Sequence, residues 1–382
     1  MNIDFYISQT DFDSEYLYKK PFLFKAAAKD TDFSWDYVNE VYSRADVSDE
    51  SFKLMNGYVV SKDQYIESYH NLGKTEFRMI RPILYEYLRN GATLVYNRIT
   101  NEPKIDKISK KIANFSRANV ITSGYAAFSS KSSYKSHWDT RDVFAVQLIG
   151  RKRWILKAPN FELPLYMQQT KNFQDIKEPE EVYMDVILEA GDILYVPRGW
   201  WHNPLPIGEE TFHLAIGTFA PTGFEYMSWL LNQTPDILGC RRNLKSFEND
   251  ESTLQEISED YSKILNDKSY YDSFLTNYIG NQRLPTQLSL DVLGNGNVNI
   301  FTVDTKLVVN ANLLHFFEDN YVVINGNKIT IDDISGKLLR FLFNESVASI
   351  KDILCEFNNY DKEVLNVLLF NLALNDIISV EK

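Results

Sequence analysis

Between residues 118 and 220, apolar positions either alternate with polar ones or gather in short β-branched runs punctuated by Gly, Pro, Asn and Asp. ANVITSGYAAF, DVFAVQLIG, RKRWILKAP, EEVYMDVILEAGDILYVP and FHLAIGTFAP fit this pattern, and short strands at such spacing predict an all-β barrel or sandwich. The first hundred residues mix the helical stretches DFSWDYVNEVYSR and RPILYEYLRN with the apolar runs PFLFKAA and ATLVYNRI. They read as a flank of the barrel, not as a separate module. In IDKISKKIANF, Ile105, Ile108, Ile112 and Phe115 recur at the spacing of one helix face, with lysines on the solvated side.

Beyond the barrel the period becomes helical again in FEYMSWLLNQT, LQEISEDYSKIL and YYDSFLTNYIG. Met227, Trp229, Leu230 and Leu231 supply apolar positions there, which makes this region a candidate homodimer interface. The last stretch offers a hairpin around Asn325-Gly326, then ISGKLLRFLF, SIKDILCEF and VLNVLLFNLALNDIISVEK, which read as helices closed by a strand in a winged-helix-like α+β domain. The expected organisation is therefore a barrel with its flank at 1–222, a helical region at 223–300 and a winged-helix-like domain at 301–382.

A chain of 382 residues has room for two or three domains. No apolar run approaches the roughly 20 residues of a membrane span. MNIDFYISQTDFDSEYLYKK lacks the basic start and apolar stretch of a secretory signal, so a cytoplasmic location is expected. Cys240 and Cys355 stand far apart and suggest neither a disulfide framework nor a thiolate metal cage. The net charge of −12 disfavours nucleic acid as a partner and suits a basic protein or peptide substrate.

The chemistry concentrates in SHWDTRDVFAVQLIGRKRWIL. On an extended segment His137 and Asp139 project to the same side, because side chains alternate with period two, and together they can grip one metal ion. The third ligand is sought in AGDILYVPRGWWHNPLP, where Pro197 and Gly199 bend the chain ahead of His202. Two histidines and one carboxylate on one face form the facial triad of non-haem Fe(II) oxygenases, with positions left open for cosubstrate and oxygen. The chain holds only five histidines, so two in these turn-bounded segments carry weight. In the basic run after Gly150, Lys152 shares a face with Trp154 and Leu156, whereas Arg151 and Arg153 share the other. A cation pointing into a barrel calls for an anion, which makes Lys152 the candidate carboxylate anchor. Trp138, Trp154, Trp200 and Trp201 would suit a walled pocket.

HWDTRDVFAVQLIGRKRWIL and GDILYVPRGWWH together closely resemble the JmjC-type cupin dioxygenases, in particular the bacterial group related to ribosomal protein hydroxylases. YLYKKPFLFKAA is similar to that family's opening segment, and the three-part layout agrees with it. The resemblance implies a mainly β core, the cupin/JmjC double-stranded β-helix, with a helical middle and a C-terminal winged-helix-like domain. It implies that His137, Asp139 and His202 ligate Fe(II) and that Lys152 binds the distal carboxylate of the cosubstrate 2-oxoglutarate, with O2 as oxidant. Where relatives carry Asn-x-Tyr before the metal motif, this chain has Ser123-Gly124-Tyr125, so Ser123 and Tyr125 become the candidate further cosubstrate contacts. His213, on the strand after His202, is read as a core histidine or a substrate contact and not as a ligand. The implied activity is hydroxylation of an amino-acid side chain in a protein or peptide. A ligand-sensing regulator is the rival reading, but from Thr305 onward 7 Lys and Arg face 11 Asp and Glu, a net of −4 that is wrong for a DNA reader. A metal-binding cupin without turnover is the third.

Overall fold

The protein is described by a computed structural model covering residues 2–29, 32–280, 288, 290, 301–310, 321–324, 327–345 and 347–380. It divides into two units, Met1–Phe219 and Ala220–Lys382. The first begins with β1 (Asn2–Ile3), α1 (Gln9–Glu15), β2 (Phe22–Phe24), β3 (Ala28–Lys29), α2 (Trp35–Arg44), β4 (Phe52–Met55) and a hairpin of β5 (Ile66–Asn71) and β6 (Lys74–Met79). Then come α3 (Arg81–Arg89), β7 (Thr93–Tyr96) and α4 (Pro103–Ser116). The barrel strands are β8 (Asn119–Ala127), β9 (His137–Trp138), β10 (Asp142–Ile149), β11 (Lys152–Lys157), β12 (Met184–Leu188), β13 (Ile193–Val196), β14 (Trp201–Pro206) and β15 (Thr211–Phe219).

Two antiparallel sheets face each other, one of seven strands in the order β2-β13-β10-β15-β8-β7-β4 and one of four in the order β12-β11-β14-β9. Barrel strands pass back and forth between the sheets, with the hairpin of β11 and β12 as the one consecutive pair kept within the smaller sheet, which is the double-stranded β-helix that the resemblance implies. The N-terminal flank is part of that architecture, since β2, β7 and β4 extend the larger sheet on both edges. Apolar side chains explain where α1 and α4 sit. Phe12 of α1 meets Tyr195 of β13 with ring centroids 4.9 Å apart and Phe115 of α4 at 4.9 Å, while Phe144 of β10 lies 4.9 Å from Tyr195. This aromatic layer covers the outer face of the large sheet and leaves its inner face to the site.

Sequence pattern did not foresee β14 as a strand, because WHNPLP carries two prolines that cannot donate to a ladder. The topology shows how it is tolerated: β9 pairs only with Trp201 and His202, so Pro204 and Pro206 lie where β14 has β11 as its single neighbour. The connection from β10 to β11 turns at Gly150, which has φ +63°, and a Cβ there would fall 1.9 Å from the Glu210 carbonyl oxygen. Only glycine supplies both the left-handed backbone and the close approach.

The second unit contains α5 (Gly223–Leu231), α6 (Phe247–Leu265) and α7 (Lys268–Gly280), with Phe274, Leu275 and Ile279 buried together against Tyr226 and Trp229. Next come β16 (Lys306–Val309), the hairpin strands β17 (Tyr321–Ile324) and β18 (Asn327–Thr330), α8 (Asp333–Glu345), β19 (Ala348–Ser349), α9 (Ile350–Glu356), α10 (Lys362–Leu374) and β20 (Ile378–Val380). A sheet in the order β19-β16-β20 packs with the three helices around Leu307, Leu338, Leu342, Ile353, Leu365 and Leu369. The expected turn residues Asn325 and Gly326 lie outside the described residues, although β17 and β18 pair as a hairpin should. Among the described residues no helix is long and apolar enough to cross a membrane.

Gly150→Ala should lower stability by more than about 1 kcal/mol, because the added Cβ meets backbone and not a movable side chain. Gly208→Ala should cost less, since its Cβ would have Ser130 Cβ as its nearest neighbour at 3.8 Å despite φ +91°. Urea denaturation of both variants checks this ranking.

Candidate metal and cosubstrate site

β9 and β14 run antiparallel with His137 directly opposite His202, and the next pair along is Trp138 opposite Trp201. Alternation then sends the two imidazoles to the barrel interior and the two indoles outward, where Trp138 packs edge-on to Trp201 at 4.8 Å. The imidazole centroids lie 4.4 Å apart. Asp139 follows two residues after His137, and its Oδ2 sits 3.6 Å from His202 Nε2. One ligand atom from each of His137, Asp139 and His202 falls within 4.8 Å of the other two.

Both histidines are oriented by the backbone. His137 Nδ1 is 2.8 Å from the Lys135 carbonyl oxygen, and His202 Nδ1 is 3.0 Å from that of Trp200. A carbonyl only accepts, so each Nδ1 donates a proton to it and Nε2 is the atom turned toward a metal. Burial, aided by the nearby His137 and opposed by Asp139, lowers the His202 pKa to about 4, which keeps this imidazole neutral. Burial pushes the Asp139 carboxyl upward, but His202, Arg141 and His137 outweigh it and hold the group below its usual range. Two hydrogen bonds brace the trio: Gly199 N–H donates to the Asp139 carbonyl at 3.0 Å, and Arg198 N–H donates to Asp142 Oδ1 at 2.8 Å. They tie the bend before His202 to the loop that carries Asp139. Two imidazole nitrogens and one carboxylate, close together on one side, match the donor set of a facial triad.

Lys152 lies on β11 between Leu188 and Pro206, buried, whereas Arg151 and Arg153 are exposed and paired with Glu209 and Asp185. Its ammonium has His213 Nδ1 at 3.5 Å and no ion pair among the described residues, and burial alone lowers its pKa to about 7. Burial and the adjacent Lys152 push His213 well below its ordinary value. His213 stacks on Tyr125 at 4.9 Å and meets Trp154 edge-on at 5.6 Å, and Trp154 in turn lies 6.0 Å from His202. A continuous wall of rings thus joins the buried cation to the three candidate ligands. Ser123 and Tyr125 stand opposite Ala215 and His213 across β8 and β15, on the same inner face. All six candidate residues therefore face the interior of the barrel. Of the four tryptophans, Trp154 forms part of its wall. Trp138 and Trp201 brace the small sheet from outside, and Trp200 donates to the Lys19 carbonyl at 3.2 Å.

Two further residues stand at the site. Arg141 acts electrostatically on Asp139 and His202. The enclosed hydroxyl of Tyr134 has no hydrogen-bond partner, and its ring stands 6.1 Å from His137 and 6.0 Å from Tyr125. Tyr134 carries no sequence signal, since loop residues 128–136 show no periodicity that fixes the direction of a side chain, whereas the position of Arg141 two residues after Asp139 was a signal that the sequence reading did not use.

Residues 94–226 match the family model of the JmjC domain, and the barrel has the JmjC cupin fold. Among particular relatives, the bifunctional lysine-specific demethylase and histidyl-hydroxylase NO66 of Drosophila mojavensis is 26% identical over 144 residues, 37% of this chain and 16% of its own. The NO66 protein of Dictyostelium discoideum is 28% identical over 149 residues, 38% of this chain and 28% of its own, and that of Aedes aegypti 25% identical over 217, 55% and 33%. The chain thus spans a third or less of the length of these relatives. The ribosomal oxygenase YcfD of Escherichia coli superposes over 100% of both chains with a TM-score of 0.61 at 16% identity, and its complex with cobalt and 2-oxoglutarate gives 0.60.

Because the folded-state pKa of Lys152 is depressed from 10.5 to about 7, the unfolded chain binds the extra proton between those values, and stability rises with pH across that window. Lys152→Met removes this dependence. The apo variant should therefore exceed wild type by at least about 1 kcal/mol at pH 7, with the gap shrinking toward pH 10.5. Chemical denaturation of both proteins across this range is the check, and a gap that widens with pH would contradict the burial of a destabilised ammonium.

Proposed function

We propose that this protein is an Fe(II)- and 2-oxoglutarate-dependent oxygenase that hydroxylates an amino-acid side chain of a protein or peptide. The observation that carries the reading is the pairing, in one cavity, of a three-atom ligand set with a buried ammonium that has no anion of its own. His137, Asp139 and His202 would hold the metal, and Lys152 would hold the distal carboxylate of 2-oxoglutarate, which restores charge balance where the ammonium is otherwise costly. Bound iron would supply the oxidising power, with O2 and 2-oxoglutarate converted to succinate and CO2 while one oxygen atom enters a substrate C–H bond. The chain's own work is positioning. The backbone carbonyls of Lys135 and Trp200 fix the imidazole tautomers, Trp154 and Tyr125 with His213 wall the cosubstrate channel, and Ser123 offers a hydroxyl on the same face. Tyr134 Oη keeps a proton to donate.

The NO66 relatives and the YcfD fold support a polypeptide substrate and a cytoplasmic setting near ribosomes. Two copies would pair through the helical region. Leu230 and Trp229 are used inside the chain, but Met227, Leu231 and Phe247 remain 49%, 61% and 73% exposed. Light scattering should give twice the chain mass at micromolar concentration, and a monomer mass rejects this pairing.

Incubation with Fe(II), 2-oxoglutarate, ascorbate and a cell extract should yield peptides heavier by one oxygen, in step with succinate. Asp139→Ala should lose stoichiometric Mn(II) and all turnover. Lys152→Ala should keep the metal and raise the 2-oxoglutarate KM at least about tenfold, as expected for loss of a charge-assisted bond, whereas Arg151→Ala and Arg153→Ala should change it little. Succinate without oxygenated peptide, or metal retained by Asp139→Ala, would overturn the assignment.

A further inference from the structure

The hairpin of β5 and β6 stands alone as a two-stranded sheet, and a groove of about 910 Å³ runs beside it. One wall of the groove is made by residues 75–82 without a gap, the other by residues 43 and 45–48 at and beyond the end of α2. A groove lying over a face of β6 would touch alternate residues, because side chains alternate with period two. Contact with each residue from Thr75 to Met79 therefore places it along the edge of the strand. The ladder shows what that edge offers. Ile80 N–H donates to the Tyr65 carbonyl at 2.8 Å, so these two form a hydrogen-bonded pair, and the register makes Glu67 with Arg78 and Tyr69 with Glu76 the next two. Met79, Phe77 and Thr75 occupy the intervening positions, where backbone N–H and C=O groups point away from β5. Among the described residues, the amides of Thr75, Phe77 and Met79 have no hydrogen-bond partner.

Both walls are fixed by their own bonds. Lys62 Nζ donates to the carbonyls of Val47 at 2.6 Å and Asp49 at 2.5 Å, and Asp46 Oδ1 accepts from Ser48 N–H at 2.9 Å. On the hairpin, Arg78 donates to Glu67 at 2.7 Å and lies 4.9 Å from the Tyr69 ring, while the Tyr69 hydroxyl donates to Glu76 at 2.7 Å. A strand of five residues needs roughly 800 Å³, at about 3.3 Å per residue, about 4.8 Å between strands and about 10 Å of side-chain height. The groove has that room for one strand, and the wall of residues 45–48 blocks the continuation of a broader sheet. Its two sides differ in chemistry. Phe77, 49% exposed, shares one face of β6 with Met79, whereas Glu76 and Arg78 share the other with Glu67. Arg78 neutralises Glu67, but Glu76 and Asp46 are held by neutral donors, which leaves the lining acidic on that side.

We propose that this groove docks an extended polypeptide segment of a partner protein, which adds a third strand to the β5–β6 hairpin and carries apolar residues on the side of Phe77 and Met79 and a Lys or Arg on the side of Glu76. Main-chain bonds to Thr75, Phe77 and Met79 supply affinity, and the alternation of the two sides supplies selectivity. The sign of the partner's charge follows from the acidic lining and from the net charge of −12, which draws a basic segment toward the chain. The hairpin of a second copy would need about twice the volume of a single strand, which the opposite wall denies it. The groove belongs to the flank of the first unit and needs neither metal nor cosubstrate, so it operates apart from the proposed oxygenase activity.

The probe is a synthetic peptide, Thr-Val-Lys-Val-Lys-Val-Thr, labelled with fluorescein, and its binding to the full chain is read by fluorescence anisotropy. Saturable binding to wild type is expected. Methylating the backbone nitrogens of the valines, or those of the lysines, blocks one edge of the peptide at a time, and one of the two sets should weaken binding at least about tenfold while the other changes it little. In the protein, Thr75→Pro removes an outward N–H beside the groove and should also cost at least about tenfold. Ser68→Pro removes the outward N–H on the opposite edge of the same hairpin and should leave affinity within about twofold. Exchange of both lysines for glutamate in the peptide should weaken binding at least about tenfold. No saturable binding to wild type, equal tolerance of the two methylated sets, equal loss in the two proline variants, or equal affinity for the basic and acidic peptides would each overturn the proposal. A Thr75→Pro protein whose mass by light scattering falls below that of wild type would assign the edge to pairing between copies and overturn it as well.

Discussion

The pairing of β9 with β14 is the constraint on which the rest of the site depends. It spans two residue pairs, yet it decides that His137 and His202 face each other inside the barrel while Trp138 and Trp201 lock the outside. A slip of one residue would turn every side chain of β9 to the wrong face. So short a ladder needs help. The hydrogen bonds from Gly199 and Arg198, the Thr170 clamp on Trp138 and the aromatic contact across the strands supply it.

The barrel then separates two kinds of polar group that water would otherwise level. At one end, two imidazoles and a carboxylate converge within bonding range of a single ion. Deeper in, Lys152 sits buried beside His213, where its charged form is disfavoured. A cavity that holds an uncompensated ammonium is poised for a carboxylate, and the ring wall of Trp154, His213 and Tyr125 gives that carboxylate a dry path toward the ligand set. Stability is lower without the anion, which is the usual cost of a preorganised site.

Much of this was legible in the sequence because it rests on period-two alternation. The common facing of His137 and Asp139, and the separation of Lys152 from Arg151 and Arg153, follow from which residues share a strand face, and the structure places each of them accordingly. What stayed hidden depends on long-range pairing or on irregular backbone. The flank strands β2, β4 and β7 join the large sheet through partners distant in sequence, and β14 is masked by Pro204 and Pro206. The β5–β6 hairpin, polar along much of its length, lacks the apolar alternation that would reveal it. The tryptophans give a mixed lesson: four were candidates for the pocket, and composition could not tell the one that lines it from the three that brace the frame.

The central claim, that one cavity holds ferrous iron and 2-oxoglutarate together, is tested most directly by an anaerobic titration. Apoprotein is charged with one equivalent of Fe(II), 2-oxoglutarate is added, and the visible charge-transfer band of an iron-chelated 2-oxo acid is followed. The expected result is a band that saturates at one iron per chain and that in Lys152→Ala requires a much higher 2-oxoglutarate concentration. No band in wild type, or the same titration curve in Lys152→Ala, would contradict it.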